Sequence, residues 1–384
     1  MRECGAGRCF RSGIWRRFLT LLCLAGLVFT GCENDSSWKQ GKPLPKEKIK
    51  IGIIHPNGIG RESGYDYAHY RGILQMRRQL GLGDEQITRR PNIFDQDSRE
   101  VENAIRDCIA EGANIILALS WGYGETCEKL AGQFPGVVFT HGIGVGSNGA
   151  NFTSFSGKFY QARYLSGIVA GKKTKTNKIG YVAAMGKGNG QVTGGIDAFA
   201  LGVESVNPAA RVYVKVTHSW LDPMGETEAA RILIALGCDV IAEHVNGPAA
   251  MVAAQNAGVW GIGYNSDMKA DAPRAVLTSV VMNWEVYYTR LIRSIIDGDF
   301  TAEPYSGGIA EGLLDISPLS PEQVTPDTIE AVERARRRII EGFNVFSGVF
   351  ETNEGFTVDS EGTGPEESEI LKDIHWYYRN VVEL

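Results

Sequence analysis

This sequence lacks the motifs of catalysis and of nucleotide chemistry. It has no GxSxG elbow, no HExxH pair and no P-loop, which removes the usual signatures of serine hydrolases, zinc peptidases and NTPases. Its six histidines are scattered. Cysteine is sparse: Cys4, Cys9, Cys23 and Cys32 fall at the start, and Cys108, Cys127 and Cys238 show no CxxC spacing. Neither a disulfide framework nor a zinc site is expected from them. One bridge between Cys108 and Cys127, or three buried free thiols, are both compatible with that spacing. Gly58, Gly60 and Gly64 lack the dinucleotide-binding spacing, so no cofactor is expected, and no metal. No helix-turn-helix pattern marks a repressor.

A hydrophobic run of bilayer length is also missing near the start. Residues 18–29 (FLTLLCLAGLVF), preceded by Arg8, Arg11, Arg16 and Arg17, are too short for a stable membrane anchor but suit the core of a secretory signal. The run ends in Thr30-Gly31-Cys32, which resembles the lipobox of bacterial lipoproteins, where the cysteine is lipidated and becomes the new N-terminus. Residues 1–31 are therefore expected to be a leader, Cys32 the lipidation site, and 32–48, with Pro43 and Pro45, a flexible tether. Removing 1–31, with five arginines and one glutamate, leaves 34 basic and 44 acidic residues, a formal charge of −10. That balance disfavours nucleic acid and anionic membrane surfaces as partners.

The remainder, 43% hydrophobic and 22% charged, is globular in composition and too long for one comfortable core. From Ile49 short apolar runs alternate with amphipathic segments, the pattern of parallel strands covered on both faces by helices. The spacing predicts strands over 49–54, 86–92, 114–119 and 137–140, with helices up to about Leu80, over 98–110 and after the SWGYGE loop. A helix over 155–171 carries the chain into a second lobe. There, strands over 178–183, 211–216, 240–243 and 259–264 alternate with helices over 191–203, 224–236 and 248–257. Helices over 284–297 and 328–341 follow, and a tail near 370–382 reads as packing over a lobe. The expected fold is α/β, with two Rossmann-like lobes around a ligand cleft. Lobe one is 49–154 plus about 264–300, lobe two 155–263 plus about 301–384, with crossings near Ser154, Gly263 and Phe300.

Function is expected at the carboxyl ends of the strands, where open α/β sheets place small ligands. In the segment 258–268, GVWGIGYNSDM, an apolar run stops in Tyr264, Asn265, Ser266 and Asp267. An aromatic beside polar groups recurs at other predicted strand ends: Tyr65 with Asp66, Trp121 with Tyr123, Trp220 between His218 and Asp222, and His244 with Asn246. Such groups suit a flat ring held by stacking, its polar edge read by amides and carboxylates. Glu243 beside His244 is the nearest approach to an acid–base pair, and a strand-end histidine is more often a hydrogen-bonding group than a catalyst, so no enzyme is expected.

Several segments in this order resemble the basic membrane protein family of substrate-binding lipoproteins, which serve ABC importers. They are ARYLSGIVAG (162–171), AFALGVESVNP (198–208), HSWLDPMGETEAA (218–230), GCDVIAEHVNGPA (237–249), GIGYNSDM (261–268) and NWEVYY (283–288). The resemblance implies a type I periplasmic-binding fold, a purine nucleoside or purine base as ligand, an ABC permease as partner, and a monomer outside the cytoplasm, lipid-anchored to the cell membrane. It also implies that Tyr65 stacks on the ring, that Asp66 stands where many relatives carry asparagine, that Trp121 is a second ring-facing aromatic, and that Asp267 holds ribose hydroxyls. Trp284, in NWEVYY, joins the expected ligand contacts. The first loop, GIGRESGYDYAH, is closer to a GPIGDHGWTYAH subgroup than to the aspartate-rich loop of nucleoside binders, and Met282 falls where those carry lysine.

Overall fold

The alternation of apolar runs and amphipathic helices resolves into two separate sheets. A computed structural model describes residues 37–59, 63–359 and 374–384. The first series is β1 (Ile51–Ile54), α1 (Tyr65–Leu80), β2 (Ile87–Arg90), α2 (Ser98–Ala110), β3 (Ile115–Ala118), α3 (Gly124–Gln133), β4 (Val138–Gly142) and β5 (Phe152–Gly157). The second is α4 (Phe159–Lys173), β6 (Lys178–Ala183), α5 (Gly190–Glu204), β7 (Arg211–Val216), α6 (Pro223–Ala235), β8 (Val240–His244), α7 (Ala249–Ala257), β9 (Trp260–Gly263) and β10 (Val276–Met282). The chain ends with α8 (Glu285–Asp297), β11 (Tyr305–Gly307), β12 (Leu314–Ile316), α9 (Pro326–Ile340), the β13 (Val349–Glu351) and β14 (Thr357–Asp359) hairpin, and β15 (Val381–Glu383).

Local chemistry sets these boundaries. Asp97 caps α2 by accepting from the backbone N–H groups of Arg99 and Glu100, and Val101, Ala104, Ile105 and Cys108 give that helix one buried face. Gly81 ends α1 in the left-handed conformation, φ 64°.

The first sheet runs β11-β5-β4-β3-β1-β2 and the second β12-β10-β9-β8-β6-β7-β15, all parallel apart from the β10–β12 pair. This is the α/β, two-lobed architecture expected from the sequence.

The crossings between the lobes lie elsewhere than expected. β5, a polar FTSFSG strand, belongs to the first sheet, so the segment from Phe155 does not begin a helix; α4 starts at Phe159. β10 stays in the second sheet beside β9, although 264–300 was assigned to lobe one; only α8, packed on α1, returns there. β11 lies in the first sheet although 301 onward was assigned to lobe two. The chain therefore crosses around Lys158, around Asn283 and between Gly307 and Leu314. Two crossings are tied to the third: Lys158 N donates to Gly307 O at 2.8 Å, and Asn283 N to Leu313 O at 2.8 Å.

Two terminal expectations also change. Residues 1–36, with Cys32 and the leader, lie outside the described residues. The described part of the expected tether is docked: Trp38 is buried edge-on against Phe300, ring centroids 5.5 Å apart, and Leu44 is buried too. A tryptophan and a leucine have enough apolar surface to outweigh the polar composition around them. The tail is an edge strand, with β15 pairing parallel to β7. Cys108, Cys127 and Cys238 are free and buried, and burial pushes the Cys108 thiol up to about 11 and that of Cys238 to about 12.

Candidate functional site

The carboxyl ends of the strands of both sheets meet at a cavity of about 330 Å³. Asn57 and Gly58 follow β1, Ser63, Tyr65, Asp66 and Tyr67 surround the start of α1, and Asn92 follows β2; Leu221 and Asn246, after β7 and β8, close it from the second lobe. A volume of this size suits a small organic ligand. A wider groove of about 690 Å³ is lined by second-lobe residues such as Lys187, Lys215, His218 and Glu383, and mixes charges of both signs at the outer end of one sheet.

Polar side chains in the cavity are held by neighbours. The Tyr65 hydroxyl donates to Leu119 O at 3.0 Å, and burial, with Asp66 adding, holds its phenol well above the ordinary value. Asp66 accepts from Asn57 Nδ2 at 3.0 Å through Oδ2. His55 Nδ1 stands 3.3 Å from Asp66 Oδ1 without hydrogen-bond geometry. Across the cavity, Asn265 Nδ2 donates to Val245 O at 3.3 Å and reaches Asn246 Oδ1 at 3.5 Å.

Of the residues singled out in the sequence, Tyr65, Asp66 and Asn246 line the cavity. The others do not. Tyr123 is wholly buried in the first lobe, its hydroxyl donating to Ile93 O at 2.7 Å. Trp284 is core as well, stacked on His69 at 4.6 Å and edge-on to Phe155. Trp121 is 73% exposed, and its carbonyl lies 2.9 Å from His141 Nε2. Asp267 is exposed and caps its own turn, accepting from Lys269 N at 3.0 Å. An Asp satisfies itself locally on backbone donors two residues on, and Asp267 is not among the residues lining the cavity.

Trp220 and His244 form a supporting layer. Trp220 O accepts from Asn246 N at 2.6 Å, placing that amide, and the Trp220 ring meets His244 edge-on at 6.0 Å. His244 is buried, pairs with the Tyr181 hydroxyl at 3.2 Å, and is held well below its ordinary pKa by burial, then by Arg163. Arg163 is itself buried, donates through Nη1 to Glu243 O at 2.8 Å and lies 3.9 Å over the Tyr264 ring. Asn57, Asn92, Tyr67, Ser63 and Leu221 were not foreseen. Asn92 falls inside the second strand expected from the sequence, whereas β2 stops at Arg90 and leaves Asn92 in a left-handed turn, φ 59°. Among the described residues no three His, Cys, Asp or Glu side chains gather as a metal site.

A family model described as ABC transporter substrate-binding protein, PnrA-like, matches residues 48–346. The chain belongs to this Bmp family. A purine-binding protein of Brucella abortus is 32% identical to it over 319 residues, 82% of this chain and 88% of that one. A putative ABC transporter glucose-binding protein of Haloferax volcanii is 32% identical over 296 residues, 76% of this chain and 73% of its own. Among solved structures, an ABC transporter solute-binding protein of Conexibacter woesei aligns with a TM-score of 0.64 at 21% identity, covering 77% of this chain and 97% of the other. The Bmp chain thus has the periplasmic-binding type of fold and is a substrate-binding protein of the ABC transporter class. No described helix is long and apolar enough to cross a membrane.

Proposed function

We propose that the chain is an extracytoplasmic receptor, lipid-anchored through Cys32, that closes its lobes over a purine base or nucleoside and delivers it unchanged to an ABC permease. One observation carries this reading: a cavity of about 330 Å³ walled by both lobes and lined by two phenol rings, one carboxylate and three asparagines. Tyrosine rings suit a flat heterocycle, and asparagine amides match its alternating donors and acceptors. The purine-binding relative supports the same class of ligand. Closure is a hinge motion at the three crossings, favoured by the ligand's preference for the closed state.

The glucose-binding relative, at the same identity, supports a sugar as the second reading. A thermal-shift and calorimetric screen of the full chain in detergent against adenine, hypoxanthine, adenosine, guanosine and glucose separates the two. A ligand at 100 times its dissociation constant adds about 2.7 kcal/mol to native stability, a readily visible shift. Shifts with purines alone support the proposal; a shift with glucose alone replaces the ligand and leaves the receptor role. Intact-mass analysis of the membrane-extracted chain tests the anchor, since a Cys32→Ala variant should lose the added lipid mass.

A further inference from the structure

Residues 37–50 are bound as a strap across one end of the first lobe. Trp38 N donates to Gly136 O at 2.8 Å, just before β4, and Leu44 N to Ile295 O at 3.2 Å, in the last turn of α8. Gln86 Nε2, just before β2, donates to Lys46 O and to Ile49 O, both at 2.8 Å. Asn114, just before β3, accepts from Lys50 N at 3.0 Å and donates to Lys48 O at 2.6 Å. These are the amino ends of parallel strands, and Asn57, Gly58 and Asn92 follow the carboxyl ends of the same set, so strap and cavity lie at opposite ends of one sheet. The family model starts at residue 48, and most of the strap lies outside it.

Residues 39–50 carry five lysines and one glutamate in a chain that is acidic as a whole. Lys39, Lys42, Lys46 and Lys50 are exposed. Of the described acids at the same end, Asp84 is held by Arg77 and Glu111 by Arg90, and Glu47, Glu85, Asp297 and Asp299 are outnumbered by the lysines of the strap. Docking also shortens the leash to Cys32. Five links separate Cys32 from Ser37, a reach of about 18 Å, against about 60 Å for a chain free as far as Ile49. Resting on the lipid anchor proposed above, we infer that this end of the first lobe is a membrane-contacting surface whose lysines take anionic lipid headgroups. A leash of about 18 Å is at most about two screening lengths at physiological salt, so the lysines stay where an anionic bilayer attracts them. The lipid supplies one signal for the membrane and the basic strap a second, and two hold where one is marginal. The cavity, at the far end of the sheet, is kept clear of the headgroups.

The test is amine acetylation by a neutral reagent, read residue by residue in a mass spectrometer, on the full chain in phosphatidylcholine vesicles with and without phosphatidylglycerol. Lys42, Lys46 and Lys50 should react at least about threefold more slowly on the anionic vesicles, while Lys187 and Lys215, on the outer groove of the second lobe, keep one rate on both. The difference should vanish at about 1 M salt, where the screening length falls to about 3 Å. In Lys42→Glu/Lys46→Glu, Lys50 should react alike on both vesicles, with a wild-type melting temperature showing that the strap is still docked. The vesicle and salt comparisons need no variant and decide the matter if that protein melts early. Equal rates for the strap lysines on both vesicles, equal slowing of Lys187 and Lys215, a difference that survives the salt, or slowing of Lys50 in a folded double variant overturns the inference. Intact mass of the same samples reads the anchor separately. If Cys32 carries no lipid, the anchor reading fails by itself, and the same rates on chain bound to the vesicles still uphold or overturn the surface.

Discussion

The backbone N–H of Gly64 donates to Ser266 Oγ at 3.0 Å, joining the start of α1 in the first lobe to the loop after β9 in the second. Beside it, Ser63 Oγ donates to Asp271 Oδ1 at 3.2 Å. Gly64 has φ 92° and ψ −167°, a region essentially reserved for glycine, and a Cβ there would sit 2.1 Å from Asn246 O. The lobes thus meet directly at the rim of the cavity, and the contact depends on a residue without a side chain.

Gly64→Ala is therefore expected to oppose closure. Backbone strain of about 1 to 3 kcal/mol and the clash with Asn246 both fall on the closed form. Ligand affinity should drop at least about tenfold. Small-angle scattering of the ligand-saturated variant should show a larger radius of gyration than the wild type. Equal affinity and equal radius in the two proteins would show that this contact does not govern closure.

Much of the fold was legible because helix and strand periods leave different marks. The helix expected over 98–110 is found as Ser98–Ala110, where Asp97 caps an apolar stripe of period 3.6. β5 was not legible: Thr153, Ser154 and Ser156 are buried there, and nothing in the local pattern announces it. Thr153 Oγ1 donates to Glu303 O from a segment 150 residues away, so the residue is tolerated inside by a partner that local sequence cannot show. Of the residues expected from strand-end position, Tyr65, Asp66 and Asn246 line the cavity. By the same rule Tyr123 was expected at the ligand, and it lies in the core of the first lobe, because an aromatic with a polar neighbour serves a core equally well once the polar atom finds a partner.

Trp284 and Trp121 should separate packing from recognition. Trp284→Ala removes a buried ring stacked on His69 and should cost about 3 to 5 kcal/mol of stability in urea unfolding. Trp121→Ala removes an exposed ring and should change stability by about 0.5 kcal/mol or less. Loss of purine affinity in Trp121→Ala at unchanged stability would show that the exposed ring covers the ligand; unchanged affinity would remove it from the site.

Stability should depend on pH through the end of β8. Glu243 is fully buried, and a backbone hydrogen bond from Tyr264 offsets only part of the cost of burying its charge. Burial, then the Glu226 carboxylate, push its carboxyl well up; Arg163 opposes this and Asp271 adds to it. The folded state keeps a proton that the unfolded chain releases. Its contribution is fully present below about pH 4.3 and is lost as pH rises toward the folded value, at up to about 1.4 kcal/mol per pH unit. His244 acts in the opposite sense: buried and neutral, it lowers stability as pH falls below about 6.5. Glu243→Gln should match the wild-type melting temperature near about pH 4 and exceed it near about pH 8. Parallel melting curves over that range would show that Glu243 does not retain the proton.

The loop after β9 offers the sharpest contrast between sequence and geometry. Asp267, expected to hold ribose hydroxyls, is exposed and bonded to its own turn, while Asn265 is buried in the left-handed conformation, φ 68°, and braces Asn246. Asp267→Asn keeps an acceptor for Lys269 N, so stability should stay within about 0.5 kcal/mol and guanosine affinity should be unchanged. Asn265→Ala loses the bond to Val245 O and forces alanine into a left-handed backbone, together costing about 2 to 3 kcal/mol. It should also weaken ligand binding by releasing Asn246 from its support. Calorimetry with guanosine and adenine on both variants decides the matter. Selective loss of guanosine in Asp267→Asn, with adenine retained, would return the ribose role to Asp267 and require the loop to turn inward when ligand is bound.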